Sequence, residues 1–397
     1  MSNSPIETQV LGESVRRLRQ AKGLSQIELA ARAKISLPTL KSIESGKAMP
    51  RIDSLQSVAS ALGEAIFALL RPVRVLKDVR FRAKKKLRTR NEILSEVSNW
   101  LENMLELEEL IGGKRKDSRI EAVKREIEGI AEPIERARQA AALIRRAWGL
   151  DDEPIMNICG LFASHGLKIF SLPKESREFF GLSVGPSDGG PAIIVNTWER
   201  ITVERWIFSA SHELGHLILH QNAFDAEQIE ENQSEEKEAD TFAAYFLMPD
   251  KAFEKELRAL RGIGWVDAVL ALKRIFKVSW KTVIRRLQDK GVLDNSAWAR
   301  FQSQLQYRYG HKVEFCKEPF PAAASLYVDD KVEPENLKRS DFPAHQLQLG
   351  SLVLEALGQG KITMSKAAKI LSSDIKGVRE LARDWKVGVG TSLVAEG

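Results

Sequence analysis

The feature that most restricts how this chain folds is an H-E-x-x-H sequence inside the stretch TVERWIFSASHELGHLILH at residues 202–220. The apolar spacing predicts one helix over this stretch. His212 and His216 are then one helical turn apart, so both imidazole rings leave the same face and can bind one metal ion. Glu213 is rotated by about 100° from His212. It can therefore act on a water at that ion as a general base, because zinc lowers the pKa of such a water toward about 7.

A third ligand is expected downstream, since a catalytic zinc ion takes three protein ligands and keeps one position open. The segment SEEKEADTFAAYFLMP predicts a second helix. We expect Glu236 to be the third ligand and Asp240, one turn later, to hold the other ring nitrogen of a histidine ligand. Glu238 is an alternative third ligand. His220 is an alternative fourth ligand, although a surface position at the helix end is the preferred interpretation.

The segments around these two helices predict smaller elements. GLKIFSL, FFGLSV and PAIIVN are three short strands, and a helix precedes the first of them. Residues 264–293 predict two helices around Val278 and Ser279. Residues 297–345 are rich in proline, which predicts a long loop or a small β element, and residues 346–386 return to a helical pattern.

The first seventy residues carry a separate pattern of short amphipathic helices. The second helix is predicted from Gln26 to Ala33, with Ser25 as its cap and Ile27 on its buried side. A fourth helix is predicted to be capped by Asp53 and to end near Gly63. Two short helices joined by a tight turn, as in the second and third, define a helix-turn-helix unit.

The sequence SQIELAARAKISLPTLKSIESGKAMPRIDSLQSVASAL resembles the phage-repressor, or XRE, family of helix-turn-helix domains over about residues 8–70. The resemblance implies that the third helix enters the major groove of double-stranded operator DNA, and that a homodimer binds paired half-sites. By matching positions it assigns base contacts to Gln26, Leu37, Pro38, Lys41 and Ser42, and phosphate contacts to Lys47 and Arg51. Leu37 and Pro38 have no side-chain donor for a base and can only pack on a thymine methyl group. The alternative is an interaction module that binds no DNA.

The segments HELGHLILH and EKEADTFAAYFLMP, with AWGLDD, GLKIF and GPAIIVN upstream, resemble the ImmA/IrrE metallopeptidases over about residues 140–290. The resemblance implies a gluzincin-like helix pair in which His212, His216 and Glu236 bind Zn²⁺ and Glu213 is the general base. Members cleave helix-turn-helix repressors. Fusions of the two kinds of domain are regarded as transcriptional regulators, some of them antitoxins encoded beside toxin genes, and not every member is an active protease.

Charge and composition restrict the partners and the compartment. Residues 71–90 hold ten Lys or Arg and one Asp, whereas the whole chain has a net charge of +6. This cluster predicts a polyanionic partner or, alternatively, a solvated basic helix. The two cysteines, Cys159 and Cys316, exclude a disulfide framework. The sequence shows no signal peptide and no apolar run near about 18 residues, so a soluble, cytoplasmic protein without membrane contact is expected.

The predicted fold is mainly α with a small β element (α+β). The predicted domains are a helix-turn-helix domain at 1–70, a basic and then acidic helical linker at 71–145, the metallopeptidase domain at 146–295 and a C-terminal mixed or helical module at 296–397. The predicted function is a DNA-binding regulator with a zinc endopeptidase domain that cleaves a repressor-type protein, itself or a partner, to control stress, phage-defence or mobile-element genes. The alternatives are a ligand- or partner-sensing transcription factor that cuts nothing and the repressor of a toxin–antitoxin operon, with a toxin as partner.

Overall fold

The structure is a computed structural model that describes residues 5–64, 76–83, 89–113, 116–224, 232–309 and 346–385, with Ile66 and Leu69 in addition and Ala48 left out. The chain divides into two compact units. The first unit contains residues 1–77 and 85–110, and the second contains residues 78–84 and 111–397. These units are defined by internal contacts, so the functional domain boundaries given above stay a prediction.

In its described part, the first unit contains helices joined by turns, and no strand. Its helices are α1 (Pro5–Ala21), α2 (Gln26–Arg32), α3 (Leu37–Glu44), α4 (Ile52–Leu62) and α5 (Arg90–Ile111). Ser25 and Glu28 form the predicted capping box of α2, because each side chain accepts a hydrogen bond from the other residue's backbone N–H. Lys34, with a φ of 54°, makes the tight turn that leads to α3.

Two details of the first unit differ from the prediction. Ile27 is 68% exposed, whereas Leu29 and Ala30 are buried. Side chains at positions i and i+2 of a helix point about 200° apart. Because Leu29 points into the core, Ile27 points outward. The cap of α4 is Arg51 rather than Asp53, which lies in the first turn, where its negative charge favours the helix N-terminus.

The second unit contains a four-stranded sheet and the remaining α-helices of the described residues. The strands are β1 (Val79–Ala83), β2 (Lys168–Leu172), β3 (Phe179–Val184) and β4 (Ala192–Asn196), in the spatial order β1-β3-β4-β2. β1 and β4 each run antiparallel to β3, and β2 runs parallel to β4. The helices are α6 (Ile120–Ile127), α7 (Pro133–Ala147), α8 (Ile158–Ser164), α9 (Val203–Leu219), α10 (Gln233–Leu247), α11 (Asp250–Ala259), α12 (Trp265–Phe276), α13 (Trp280–Asp289), α14 (Ala297–Tyr309), α15 (Gln346–Gly358), α16 (Met364–Ile370) and α17 (Ile375–Asp384).

This arrangement confirms the predicted fold class, a mainly helical chain with a small sheet. It also confirms the three strands predicted before α9 and the two helices around Val278 and Ser279. The part of residues 297–345 that the structure describes is α14, a helix where a loop or β element was expected, because Ala297, Phe301 and Leu305 recur at helical spacing and are buried. The rest of that segment lies outside the described residues.

Strand β1 was not predicted from the sequence. It lies inside the segment predicted as a helical linker, yet it pairs with β3 along most of its length. Its residues alternate in type, since Val79 and Phe81 are apolar and Arg80 and Arg82 are basic, and this is the period of a strand. The Phe81 ring stacks on Phe179 of β3 with 5.3 Å between centroids. The surrounding run of lysines and arginines obscures this short alternation.

Candidate metal centre

The H-E-x-x-H residues lie in the middle of α9, which the structure begins at Val203 and ends at Leu219. Thr202 caps the helix by accepting a hydrogen bond from the backbone N–H of Arg205. The side of α9 that carries the motif is packed against the sheet and α10. As a result His212, Glu213 and His216 are all 0% exposed.

Helix α10 approaches α9 closely and brings a carboxylate to the two histidines. A Cβ atom at Gly215 would lie 3.0 Å from the ring of Phe242, so the absence of a side chain at Gly215 permits this approach. The carboxylate oxygens of Glu236 lie 3.2 Å from Nε2 of His212 and 3.2 Å from Nε2 of His216. The two Nε2 atoms are 2.8 Å apart. Within the described part of the chain, these residues are the one group of at least three His, Cys, Asp or Glu whose ligand atoms all lie within 4.8 Å of one another.

The donor set fits a divalent metal ion. Oδ1 of Asp240 lies 2.7 Å from Nδ1 of His212. When Nδ1 of His212 donates a hydrogen bond to Asp240, Nε2 of the same ring carries a lone pair. That lone pair faces Nε2 of His216 and the Glu236 carboxylate. Lone pairs and a negative charge at such distances repel one another, and a cation between them removes the repulsion. Two imidazoles and one carboxylate are also a usual ligand set of catalytic zinc.

The second histidine, His216, is held by a series of side-chain hydrogen bonds. Nδ1 of His216 lies 3.0 Å from Nδ1 of His220, and Nε2 of His220 lies 3.0 Å from a carboxylate oxygen of Glu238. Arg136 on α7 donates two hydrogen bonds to Glu238, at 2.7 and 2.9 Å. His220 is therefore buried and does not lie at a surface helix end, because Glu238 and the other residues of this series surround it. Glu238 contacts His220 and Arg136, whereas Glu236 faces the two Nε2 atoms.

Charge and burial set the protonation of the cluster. Burial, followed by the neighbouring His212, holds the pKa of His216 well below its ordinary value. Burial raises the pKa of Glu236, but hydrogen bonds and charge from the two histidines outweigh it, so the net pKa lies below the ordinary value. A neutral imidazole and an ionised carboxylate are the forms that bind metal.

Glu213 points to strand β3. Ser183 donates a hydrogen bond to the Glu213 carboxylate and lies 3.2 Å from its backbone oxygen. A Cβ atom at Gly181 would lie 3.0 Å from Oε1 of Glu213 and 2.9 Å from the backbone oxygen of Ile194. A small residue at position 181 thus leaves the room that the Glu213 side chain uses.

Sequence reasoning missed Arg80, which reaches this site from β1. Its guanidinium donates to Glu236 at 3.1 Å and forms a second, shorter ion pair with Glu235. Arg80 is buried, so this arginine of the basic segment 71–90 forms an ion pair inside the second unit. The alternation of apolar and basic residues in β1 predicts a strand around Arg80 but does not show which arginine is buried. Most other residues of the run lie outside the described part of the chain.

The residues predicted to contact DNA lie along one stretch of the first unit. Leu37 is half-buried against the core of that unit, whereas Pro38 and Lys41 are exposed on α3. The amide nitrogen of Gln26 donates to Glu44 at 2.7 Å, which fixes its orientation at the start of α2. Of the remaining residues predicted to contact DNA, Ser42 is half-buried on α3. Lys47 and Arg51 are exposed in the segment after α3. Their roles stay predictions.

Two family patterns match the chain. The helix-turn-helix pattern matches residues 15–69, and the IrrE N-terminal-like domain, Peptidase_M78, matches residues 162–288. The HTH-type transcriptional regulator DdrOP3 of Deinococcus deserti is 40% identical over 68 residues, 17% of this chain and 53% of that protein. The uncharacterized HTH-type transcriptional regulator y4dJ of Sinorhizobium fredii is 38% identical over 63 residues, 16% of this chain and 82% of that protein. No solved structure matches the chain significantly.

The chain therefore belongs to the XRE-type helix-turn-helix family through its N-terminal part, and it carries an IrrE N-terminal-like (Peptidase_M78) domain behind it. Both resemblances predicted from the sequence are confirmed. The chain spans about half the length of the first of these relatives. Among the described residues, no helix is long and apolar enough to cross a membrane.

Proposed function

We propose that this protein is a DNA-binding transcriptional regulator whose second unit is a zinc-dependent endopeptidase acting on a repressor-type protein. The convergence of His212, His216 and Glu236 beside Glu213 carries the proposal. A zinc ion held by the three ligands would polarise a peptide carbonyl and activate the attacking water. Glu213 takes the proton of that water and passes it to the leaving amine. Asp240 and the His220–Glu238 pair fix the two imidazole rings.

The substitution Glu213→Gln tests the proposal. It keeps the size of the side chain and removes the base, so cleavage is expected to fall by about 100-fold to 10,000-fold while DNA binding stays unchanged. The measurement compares the new protein N-termini that appear in host cells expressing the wild type or the variant. Glu204→Gln, which removes a carboxylate paired with Lys273 at the start of the same helix, is the matched control. Identical sets of N-termini in wild type and Glu213→Gln would refute a catalytic role for Glu213.

A regulator that senses a ligand and cuts nothing is a second candidate. The full burial of His212, Glu213 and His216 favours it, because a peptidase needs an opening through which its substrate reaches the metal. This candidate expects normal regulation of the target genes by the Glu213→Gln variant. A homodimer, a toxin partner and a role in phage defence stay predictions.

A further inference from the structure

Strand β1 comes from a different part of the sequence than the other three strands of the sheet. β2, β3 and β4 lie inside the segment that matches the IrrE N-terminal-like domain, residues 162–288, whereas β1 comes from residues 79–83. The chain on both sides of β1 belongs to the first compact unit. The second unit thus receives one strand of its sheet from within the chain of the first.

The edge that β1 covers is the one beside the metal centre. β1 pairs with the outer edge of β3, and Gly181 and Ser183 of β3 adjoin Glu213. In the register, Arg80 is opposite Ser183 and Arg82 is opposite Gly181. An open strand edge binds an extended peptide as an additional strand, with main-chain hydrogen bonds for affinity and side-chain contacts for specificity. The other edge of the sheet is covered differently, since Gln348 hydrogen-bonds to backbone atoms of Leu167 and Ile169.

Two anchors hold β1 on this edge. The Asp78 carboxylate accepts a hydrogen bond from the backbone N–H of Ser187, and the Asp78 backbone oxygen accepts one from the N–H of Gly185. Arg80 forms ion pairs with Glu235 and Glu236, and Glu236 is a proposed metal ligand. Acidic side chains beside the metal centre therefore contact a basic side chain of an extended strand.

We propose that β1 occupies the position of a peptide substrate at the metal centre, so that an external substrate must displace it. The inference rests on the proposed function and names its substrate class, an extended peptide with a basic residue that pairs with Glu235. Glu235 is then the residue that determines specificity, because Glu236 is committed to the metal.

The test measures binding of a fluorescent peptide with the sequence of residues 76–84, LKDVRFRAK, to the zinc-supplemented full chain. All proteins carry Glu213→Gln, so that binding is read without cleavage. Arg80→Ser removes the ion pairs of β1 with Glu235 and Glu236, and the Asp78→Ala/Arg80→Ser double variant also removes the side-chain hydrogen bond from Ser187. Arg258→Ser, which removes an exposed arginine from an i,i+4 pair, is the control. Hydrogen exchange at the amides of β1 and β3 reports in the same samples whether the strand has been released.

We expect peptide affinity to rise by at least about tenfold in the double variant, with faster exchange in β1 and no change for Arg258→Ser. A peptide with serine in place of its first arginine should bind more weakly, and Glu235→Gln should abolish that preference. Equal peptide affinity for the Glu213→Gln protein and for the variants in which β1 exchanges freely would overturn the inference. So would exchange in β1 that neither substitution accelerates. Neither result bears on the proposed function, which depends on loss of cleavage in Glu213→Gln alone.

Discussion

The two units each contain an arginine–glutamate pair with nearly the same geometry and a buried carboxylate. In the first unit Arg19 donates to Glu44 at 2.6 and 3.1 Å, and in the second Arg136 donates to Glu238 at 2.7 and 2.9 Å. The carboxylates are almost fully buried in both, with 1% and 3% of the side chain exposed. The difference lies in the next contact, since Arg19 also donates to the backbone oxygen of Leu24, whereas Glu238 continues through His220 to a proposed metal ligand.

Identical chemistry therefore serves the fold in one unit and the metal centre in the other. Arg19 and Glu44 join α1 to α3, so they fix the positions of the helices around the core of the first unit. Arg136 and Glu238 join α7 to α10 and also set the orientation of the His216 ring. The contrast predicts that breaking the first pair lowers stability most, and that breaking the second lowers metal affinity most.

The largest effect is expected for Glu44→Gln. The substitution leaves the charge of Arg19 buried and without its full partner, so the free energy of unfolding of the first unit should fall by about 3 kcal/mol. Hydrogen exchange in α1 and α3 measures this loss. Glu102→Gln is the control, since its partner Arg17 is 3.2 Å away and Glu102 is one-third exposed, and it should cost less than about 1 kcal/mol. Equal losses of stability in the two variants would show that the full burial of the Glu44 carboxylate adds nothing to the energy of its pair.

Glu238→Gln should weaken zinc binding by about 10-fold to 100-fold. The amide can still accept a hydrogen bond from His220, but it no longer supplies the negative charge that favours His216 as a metal ligand. Competition with a fluorescent zinc chelator measures the affinity, and Glu204→Gln is again the control. A variant that loses stability but binds zinc as tightly as the wild type would show that this pair, like Arg19 and Glu44, serves the fold alone.

Asp240→Asn is expected to have a smaller effect, a loss of about threefold to tenfold in zinc affinity. Asp240 contacts His212 directly, but its side chain is 51% exposed, so water screens its charge. Added salt should reduce the effect of Asp240→Asn more than that of Glu238→Gln, because buried charges are screened less. The same chelator competition at low and high salt provides the measurement. A larger loss for Asp240→Asn than for Glu238→Gln would reverse the proposed ranking.

The smallest effect is expected for Asp250, an exposed carboxylate that contacts the buried Arg286 at 3.0 Å and Lys290 at 2.6 Å. Burial raises the pKa of Asp250, but the hydrogen bond from Lys290 and the charges of both partners outweigh it and lower the net value. The ion pairs of Asp250 with Arg286 and Lys290 therefore stabilise the folded state fully at pH values above the ordinary aspartate pKa. Their contribution is lost as the pH falls through the lowered pKa of Asp250 in the folded state. Asp250→Asn should cost less than about 1 kcal/mol at pH 7, because water screens the half-exposed carboxylate and the Arg286 guanidinium keeps its contact with the Tyr245 ring at 3.4 Å. Thermal unfolding at several pH values should show that the difference in stability between the wild type and Asp250→Asn becomes smaller as the pH falls. A difference that does not change with pH would exclude the ionised carboxylate as its source.

Much of the candidate site follows from sequence because it depends on local helical spacing. The i,i+4 spacing of His212 and His216 and of Glu236 and Asp240 puts each pair on one face of a helix, whatever the rest of the chain does. The choice between Glu236 and Glu238 is also a matter of helical phase, and the structure brings Glu236 to the two histidines.

The parts that the sequence did not predict depend on contacts between distant segments. Arg80 meets Glu235 and Glu236 across more than 150 positions of the chain, and Arg136 meets Glu238 across 102. The burial of His220 likewise depends on Glu238, which comes from another helix. No periodicity within one element encodes such pairings, and a single arginine in a basic run has no property that marks it as buried.

The position of β1 in the chain has a consequence for how the protein folds during synthesis. β1 ends at Ala83, and its partner β3 begins at Phe179. At about 5–20 residues per second, the ribosome delivers the partner strand several seconds after β1. The sheet therefore closes late, after the helices that surround β1 in the chain have been made. Slower translation between these strands should lengthen the time in which β1 is unpaired and available to other sheet edges.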